Sequence, residues 1–550
     1  MGRFHGRLVA ATLTTCVVAG AVTGAVTTPA TAATTPPPPP GTEWGDAKAD
    51  RSSIDQWTGD NDAKKDPGSL YTITDAIGAR KVWDRTDASG HAVTGRGVTV
   101  AVVDSGVSAV RGLDAPGKVV QGPDLSFEAN AEPAVTDADT YGHGTHMAGI
   151  IAARDGVKVD PRTGEPKPDK PYQQLGVAPD AQLLALKLAS TDGSTDVSQV
   201  IAALDWVVQH QDDAGMDVRV VNLSFGTTAL QAADVDPLAA AAQNAWRAGL
   251  VVVVSAGNDG ERDGRLTNPA IDPYVIAVGS SDPNGKVDGW QKKPRVADFS
   301  SRGSAERPVD LLAPGRSVAS LRDPGSFVDT EHPEGRVSGD DTGRLFRGSG
   351  TSQAAAVVSG AAALLLQAHP DLTPDEVKAV LLATASEVKH ADRRAAGAGQ
   401  VDVEAALELL DEAGRGRPEA VAVLRAAPQT HAQATATGSL QLARGGSVLV
   451  HQASGIALEG EMDVNGQPWD GPSWFAQAQA GTTWKQGTWT DDGWSRARWL
   501  GDGWARARWL DDGWSRARWL DDGWSRARWL DGGWSRARWL GGTWTGGGWS

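Results

Sequence analysis

The chain of 550 residues has a single cysteine, Cys16. A disulfide framework, a thiolate metal cage and a cysteine nucleophile in the body are therefore excluded, and any covalent catalysis must use another residue. Tyrosine and phenylalanine are scarce, at 4 and 7 residues, whereas tryptophan reaches 22. Beyond the N-terminus no uninterrupted apolar run reaches the length of a membrane span. The longest such stretch, 361–366, sits inside a helix-like run. Positive charge is short as well: 52 Lys and Arg face 68 Asp and Glu, for a net charge of −16 with no basic cluster in the body. That is a poor footprint for nucleic acid or an anionic membrane. What remains is rich in glycine (66 residues), 40% hydrophobic and 22% charged, enough to bury a core. At roughly 150 residues per domain the length suggests three or four modules.

The first 32 residues combine Arg3 and Arg7, a small and apolar stretch over 8–26, and the A-x-A site Ala30-Thr31-Ala32. This pattern predicts a secretory signal peptide that is removed, Cys16 with it, and an extracellular protein. An uncleaved anchor helix is the alternative. Residues 33–67 open on the proline run 36–40 and continue polar and acidic, which reads as a linker or short pro-segment.

From about residue 98, short β-branched runs alternate with amphipathic stretches, the pattern of an α/β domain with a largely parallel sheet. Strands are expected at 98–103, 182–188, 218–223, 250–254 and 274–278. Helices are expected over 197–208, after Asp236-Pro237, and after the capping box Thr373-Pro374-Asp375-Glu376. In such folds sites form beyond the carboxyl ends of the strands, which directs attention to the residues that follow each one.

Asp104-Ser105-Gly106 follows the first strand, His143-Gly144-Thr145-His146-Met147-Ala148-Gly149 comes next, and Ser255-Ala256-Gly257-Asn258 follows the fourth. Gly350-Thr351-Ser352-Gln353-Ala354-Ala355 then opens a helix. Two histidines at i, i+3 could be read as a metal pair, but no nearby cysteine completes a ligand set. With these motifs, in this order, the chain resembles the subtilisin-like serine peptidases, the subtilase or S8 family, over roughly residues 70–410. The resemblance implies a three-layer α/β fold. It also implies that Ser352 is the nucleophile, His143 its base and Asp104 the carboxylate that orients His143, with Asn258 and the Ser352 amide holding the oxyanion. Ser224-Phe225-Gly226 resembles the strand that binds substrate, with Ser255-Ala256-Gly257 as the opposite wall. The residue types suit the chemistry, because a serine hydroxyl is a weak nucleophile until an imidazole within hydrogen-bond reach takes its proton.

The chain departs from the family at Gln353 and Ala356, where members commonly carry Met and Pro; neither position makes or breaks bonds. The implied chemistry needs no cofactor and no catalytic metal. Many members bind calcium, which irregular loops here could hold, and no loop has EF-hand spacing. Stretch 399–410 resembles the closing helix of the family, so the peptidase domain is expected over 68–412.

Residues 413–483 read as a linker and a small β region, with short alternating runs over 435–464. Tryptophan then recurs at every fifth position from Trp484 to Trp549, and five ten-residue units of the type DDGWSRARWL fill 491–540. Five helical steps would turn each indole by about 140° from the last, so a single helical face is disfavoured. Asp-Gly turn signals instead suggest a β-meander or small solenoid over 484–550. The tail resembles tryptophan-punctuated tails of secreted actinobacterial subtilases. Exposed indoles could grip cell wall or polysaccharide, or the repeats could be a self-packed or disordered spacer.

The expectation is a secreted serine endopeptidase acting on proteins or peptides through an acyl-enzyme. The alternative is a cell-surface or polysaccharide-binding repeat protein whose protease domain is inactive or only processes itself.

Overall fold

The computed structural model describes residues 64, 66–129, 138–156, 173–261, 265–282, 294–338, 340, 342–445, 449–450, 457–485, 488–489, 538–539, 544–545 and 548–549. The signal peptide, most of the 33–67 segment, Cys16 and residues 490–537 of the repeats lie outside them.

An eight-stranded sheet forms the centre. Its strands are β1 (Thr99–Asp104), β2 (Val119–Asp124), β3 (Gln182–Lys187), β4 (Val218–Leu223), β6 (Val251–Ser255), β7 (Ile276–Asp282), β8 (Arg295–Val296) and β9 (Leu311–Pro314); the short β5 (Phe225–Gly226) stands apart from it. The order is β2-β3-β1-β4-β6-β7-β8, with β9 also paired to β7. Every pairing in this sheet is parallel except β7 with β8. β1, β4, β6 and β7 are almost wholly buried, which is why they read in the sequence as unbroken apolar runs. The chain departs from β1 to opposite sides, toward β3 and toward β4, so the crevice beyond the carboxyl end of β1 is a topological switch point.

Helices α1 (Leu70–Ala76), α2 (His143–Ala152), α3 (Val197–His210), α4 (Pro237–Arg247), α5 (Thr351–Ala368), α6 (Pro374–Ala383) and α7 (Val403–Gly414) flank the sheet. Their starts are fixed by side chains. Asp196 and Gln199 form a reciprocal capping box for α3, Asp236 caps α4 ahead of Pro237, and Thr373 with Glu376 repeats the capping box for α6. Helix α5 crosses β4, β6, β7 and β9 and is buried over nearly its whole length. Each of Leu364, Leu365 and Leu366 is fully buried there, a gain of about 1.5–3 kcal/mol per side chain. It is the one described helix long and apolar enough to cross a membrane, and its burial in the core accounts for that composition. At Gly360 a Cβ would stand 2.6 Å from the Val177 Cβ, so glycine lets α5 approach the loop after α2.

The antiparallel pair β10 (Val318–Leu321) and β11 (Leu345–Gly348) leads into α5. Arg347 of β11 forms a buried ion pair with Asp66, near the start of the described chain.

The segment after α7 differs from the expected run of strands. Leu440–Ala443 is a helical turn capped by Ser439, because that hydroxyl accepts from the Leu442 amide. Among the described residues up to 489, the strands there are the two-residue pairs Leu449–Val450 with Ala457–Leu458 and Trp484–Lys485 with Thr488–Trp489. This segment packs on α3 and α4. Buried Arg444 donates to Asp196 at 2.7 Å. The indole N–H groups of Trp474 and Trp489 both donate to the same oxygen of buried Asp205, at 2.7 and 2.8 Å, and that of Trp484 donates to the Ala202 carbonyl. The opening tryptophans of the periodic series are thus core residues.

Candidate active site

Asp104 is the last residue of β1 and His143 the first of α2, 39 positions apart in sequence. The two meet because Gly144 lets the helix come close: a Cβ there would stand 2.1 Å from the Gly106 carbonyl oxygen and 3.2 Å from the Asp104 side chain. His143 Nδ1 lies 2.8 Å from one Asp104 oxygen and 3.0 Å from the other. Both side chains are completely buried, so the pair interacts in a low-dielectric setting. A carboxylate facing Nδ1 places the proton there and leaves Nε2 as the basic nitrogen.

Sequence reasoning passed over the scaffold around this pair. Ser105 donates its amide to Asp104 at 2.7 Å and its hydroxyl to Asp139 at 2.7 Å. Asp139 also accepts the amides of Gly142 and Thr145, each at 2.7 Å. This fully buried carboxyl ties the end of β1 to the first turn of α2, and burial pushes its pKa above the ordinary carboxylate value despite those donors. The available signal was an acid four residues before His143, in Asp139-Thr140-Tyr141-Gly142. His146 is buried on the same helix with Nε2 at 3.2 Å from the Phe346 carbonyl, and desolvation lowers its pKa to about 3. It stays neutral and packs in the core.

Ser352 occupies the second position of α5, whose N-cap Gly350 supplies no side-chain hydrogen bond. The first-turn amides of this helix therefore serve other partners, and the helix dipole favours negative charge beside them. Thr351 donates its amide and its hydroxyl to Asn258 Oδ1, at 2.9 and 3.0 Å. With its oxygen pinned, the Asn258 amide keeps its nitrogen Nδ2 as the donor end. Thr351 Oγ1 also accepts the Gly257 amide at 3.1 Å, which couples the 255–257 segment to the head of α5.

Ser224, Phe225 and Gly226 continue from β4, and Ser255, Ala256 and Gly257 continue from β6. Since Leu223 pairs with Val254 in parallel register, the two segments leave the sheet side by side. The Ser352 hydroxyl stands 3.5 Å from the Ser224 carbonyl. All the residues singled out in the sequence thus gather at the carboxyl end of β1, β4 and β6. Among the described residues no three His, Cys, Asp or Glu side chains converge to hold a metal.

Comparison with known proteins gives the family. The sequence pattern of the subtilase family, peptidase S8, matches residues 95–399. The serine protease AprX of Bacillus subtilis is 35% identical over 342 residues, covering 61% of this chain and 71% of that protein. Subtilisin DY of Bacillus licheniformis is 33% identical over 327 residues, covering 59% and 95%. Among solved structures, fervidolysin from Fervidobacterium pennivorans, described as a keratinolytic enzyme related to subtilisin, aligns with 28% identity and a TM-score of 0.47 over 63% of this chain and 47% of its own. The chain belongs to the subtilase family and is a serine-type endopeptidase.

Proposed function

We propose that Ser352, His143 and Asp104 form the catalytic triad of a secreted enzyme. The Ser352 hydroxyl attacks the scissile carbonyl as His143 Nε2 takes its proton, and Asp104 stabilises the resulting imidazolium without itself accepting the proton. The tetrahedral oxyanion lies between Asn258 Nδ2 and the Ser352 amide. Collapse expels the amine, protonated by His143, and leaves an acyl-enzyme that water hydrolyses by the same route. Substrate lies along Ser224-Phe225-Gly226, with Ser255-Ala256-Gly257 forming the far wall. No cofactor takes part.

The observation that carries this reading is the buried Asp104–His143 contact at 2.8 Å, together with a serine at the head of a helix whose first amide is tied to Asn258. The N-terminal leader, Arg3 and Arg7 followed by an apolar stretch and an A-x-A site, supports export. The test is prolonged incubation of the full chain with a fluorophosphonate probe, followed by peptide mapping, beside Ser352→Ala. Label on Ser352 that disappears in the variant is expected. Label elsewhere, or none on folded protein, would remove Ser352 from the role.

A further inference from the structure

The edge proposed to bind substrate is already paired. Phe225–Gly226 forms an antiparallel ladder with Arg538–Trp539 of the same chain, Arg538 opposite Gly226 and Trp539 opposite Phe225. This ladder begins one residue beyond Ser224, whose carbonyl is 3.5 Å from the Ser352 hydroxyl. Farther along the tail, Trp544–Thr545 pairs with Gly548–Trp549. That hairpin lies against Pro333–Gly335 and, through its second strand, against Leu345–Gly348, the strand that runs into Ser352. The described parts of the tail therefore lie against two segments that adjoin the nucleophile in the fold, the strand after Ser224 and the strand that leads into α5. Consistent with this, Ser224, Phe225, His143 and Ser352 are each 0% exposed. A peptide from solution reaches that serine only when the covering segment lifts away.

We infer that the Ala-Arg-Trp-Leu segment of the tail is a built-in occupant of the substrate edge that keeps the full-length enzyme latent. The inference rests on the assignment of Ser224–Gly226 as the substrate strand. Strand addition draws its affinity from main-chain hydrogen bonds, so an edge that accepts extended peptides of many sequences also accepts its own tail. Because the tail belongs to the same chain, its seating is intramolecular and its effective concentration does not depend on that of the protein. The same four residues recur at 497–500, 507–510, 517–520, 527–530 and 537–540. Five copies compete for one seat, so loss of the seated copy leaves four replacements on the same chain, which gives the strict ten-residue repetition a purpose.

The test replaces Arg and Trp by proline in all five copies of the full chain, from Arg498→Pro and Trp499→Pro through Arg538→Pro and Trp539→Pro. Proline has no amide hydrogen and cannot extend the ladder. The rate constant for fluorophosphonate labelling and kcat/KM on a fluorogenic peptide are expected to rise about tenfold or more over the wild type. The peptide acetyl-Ser-Arg-Ala-Arg-Trp-Leu-amide, added to the variant, should reverse the gain. Equal rates in the two folded proteins, or no inhibition by millimolar peptide, would overturn the inference while leaving the protease assignment standing. Labelling in neither protein would remove the active-site assignment and the inference together.

A second variant guards against misfolding of the first. Gly226→Cys with Arg538→Cys, on a Cys16→Ser background, pairs residues that face each other in the ladder at a separation a disulfide can span. Oxidation should lock the enzyme against labelling and reduction should release it. Failure of the pair to cross-link would refute the seating.

Discussion

Gln353, next to the nucleophile, gives the most demanding test of the physical reading. Its side chain is fully buried on α5, and among the described residues neither its amide oxygen nor its amide nitrogen has a hydrogen-bond partner. A buried, unpaired polar group forfeits its hydration without replacement, at about 1–3 kcal/mol. Methionine, which the family commonly carries at this position, is unbranched and of similar length, so Gln353→Met removes the polar atoms with little change in volume. The expected gain is about 2 kcal/mol. In a domain of this size each kcal/mol moves Tm by roughly 2 °C, so the melting point should rise by about 4 °C. The assay is calorimetry or guanidinium unfolding in a Ser352→Ala background, which prevents self-digestion. Gln353→Glu, which buries a carboxyl in the same place, should move Tm the other way. A Gln353→Met variant no more stable than its parent would show that the amide is satisfied and that the reasoning is wrong.

Three further outcomes are expected. Asn258→Ala should lower kcat by about 10²–10³-fold, the loss that removal of one oxyanion donor brings in subtilisin itself, with KM little changed; an unaltered kcat would free Asn258 from the mechanism. Gly144→Ala should cut activity at least tenfold, because its Cβ would stand 2.1 Å from a main-chain oxygen and push His143 away from Asp104; full activity would show that the helix can shift without harm. Burial raises the Asp205 carboxyl to about 7, against the pull of indole donors from Trp489 and Trp474. Since its folded value lies above the unfolded one, its contribution is complete below about pH 4 and is lost as pH rises through about 7. The melting temperature of the wild type should therefore fall more steeply from pH 5 to 8 than that of Asp205→Asn, and parallel slopes would contradict the burial argument.

Much of the fold could be read from residues whose surroundings are uniform. The strands β1, β3, β4, β6 and β7 are buried on both faces, and their apolar runs located them to within a few residues. Caps at Asp236 and Thr373 gave helix starts directly. β2 escaped because Val119–Asp124 contains Gly122 and Pro123 and is half exposed at the sheet edge, where proline is tolerated but the sequence looks like a turn. β9, β10 and β11 have four residues each, too few for any period to register. At the site, the residues proposed to face substrate were legible as motifs. Asp139 and Thr351 were not, because their contribution lies in accepting and donating hydrogen bonds across chain separations of 34 and 93 residues. The tryptophan series misleads for a similar reason: Trp474 and Trp489 share its phase yet serve the core through Asp205.

The ion pair between Asp66 and Arg347 limits how far the N-terminus can be trimmed. Asp66 is 5% exposed and Arg347 6%, and removal of one member of a buried pair leaves an uncompensated charge at about 3–5 kcal/mol. A processing cut ahead of Asp66 spares β11 and the helix head that follows it. A cut beyond Asp66 takes the carboxylate from the Arg347 guanidinium, five residues from Ser352, and is expected to loosen the strand that leads into α5.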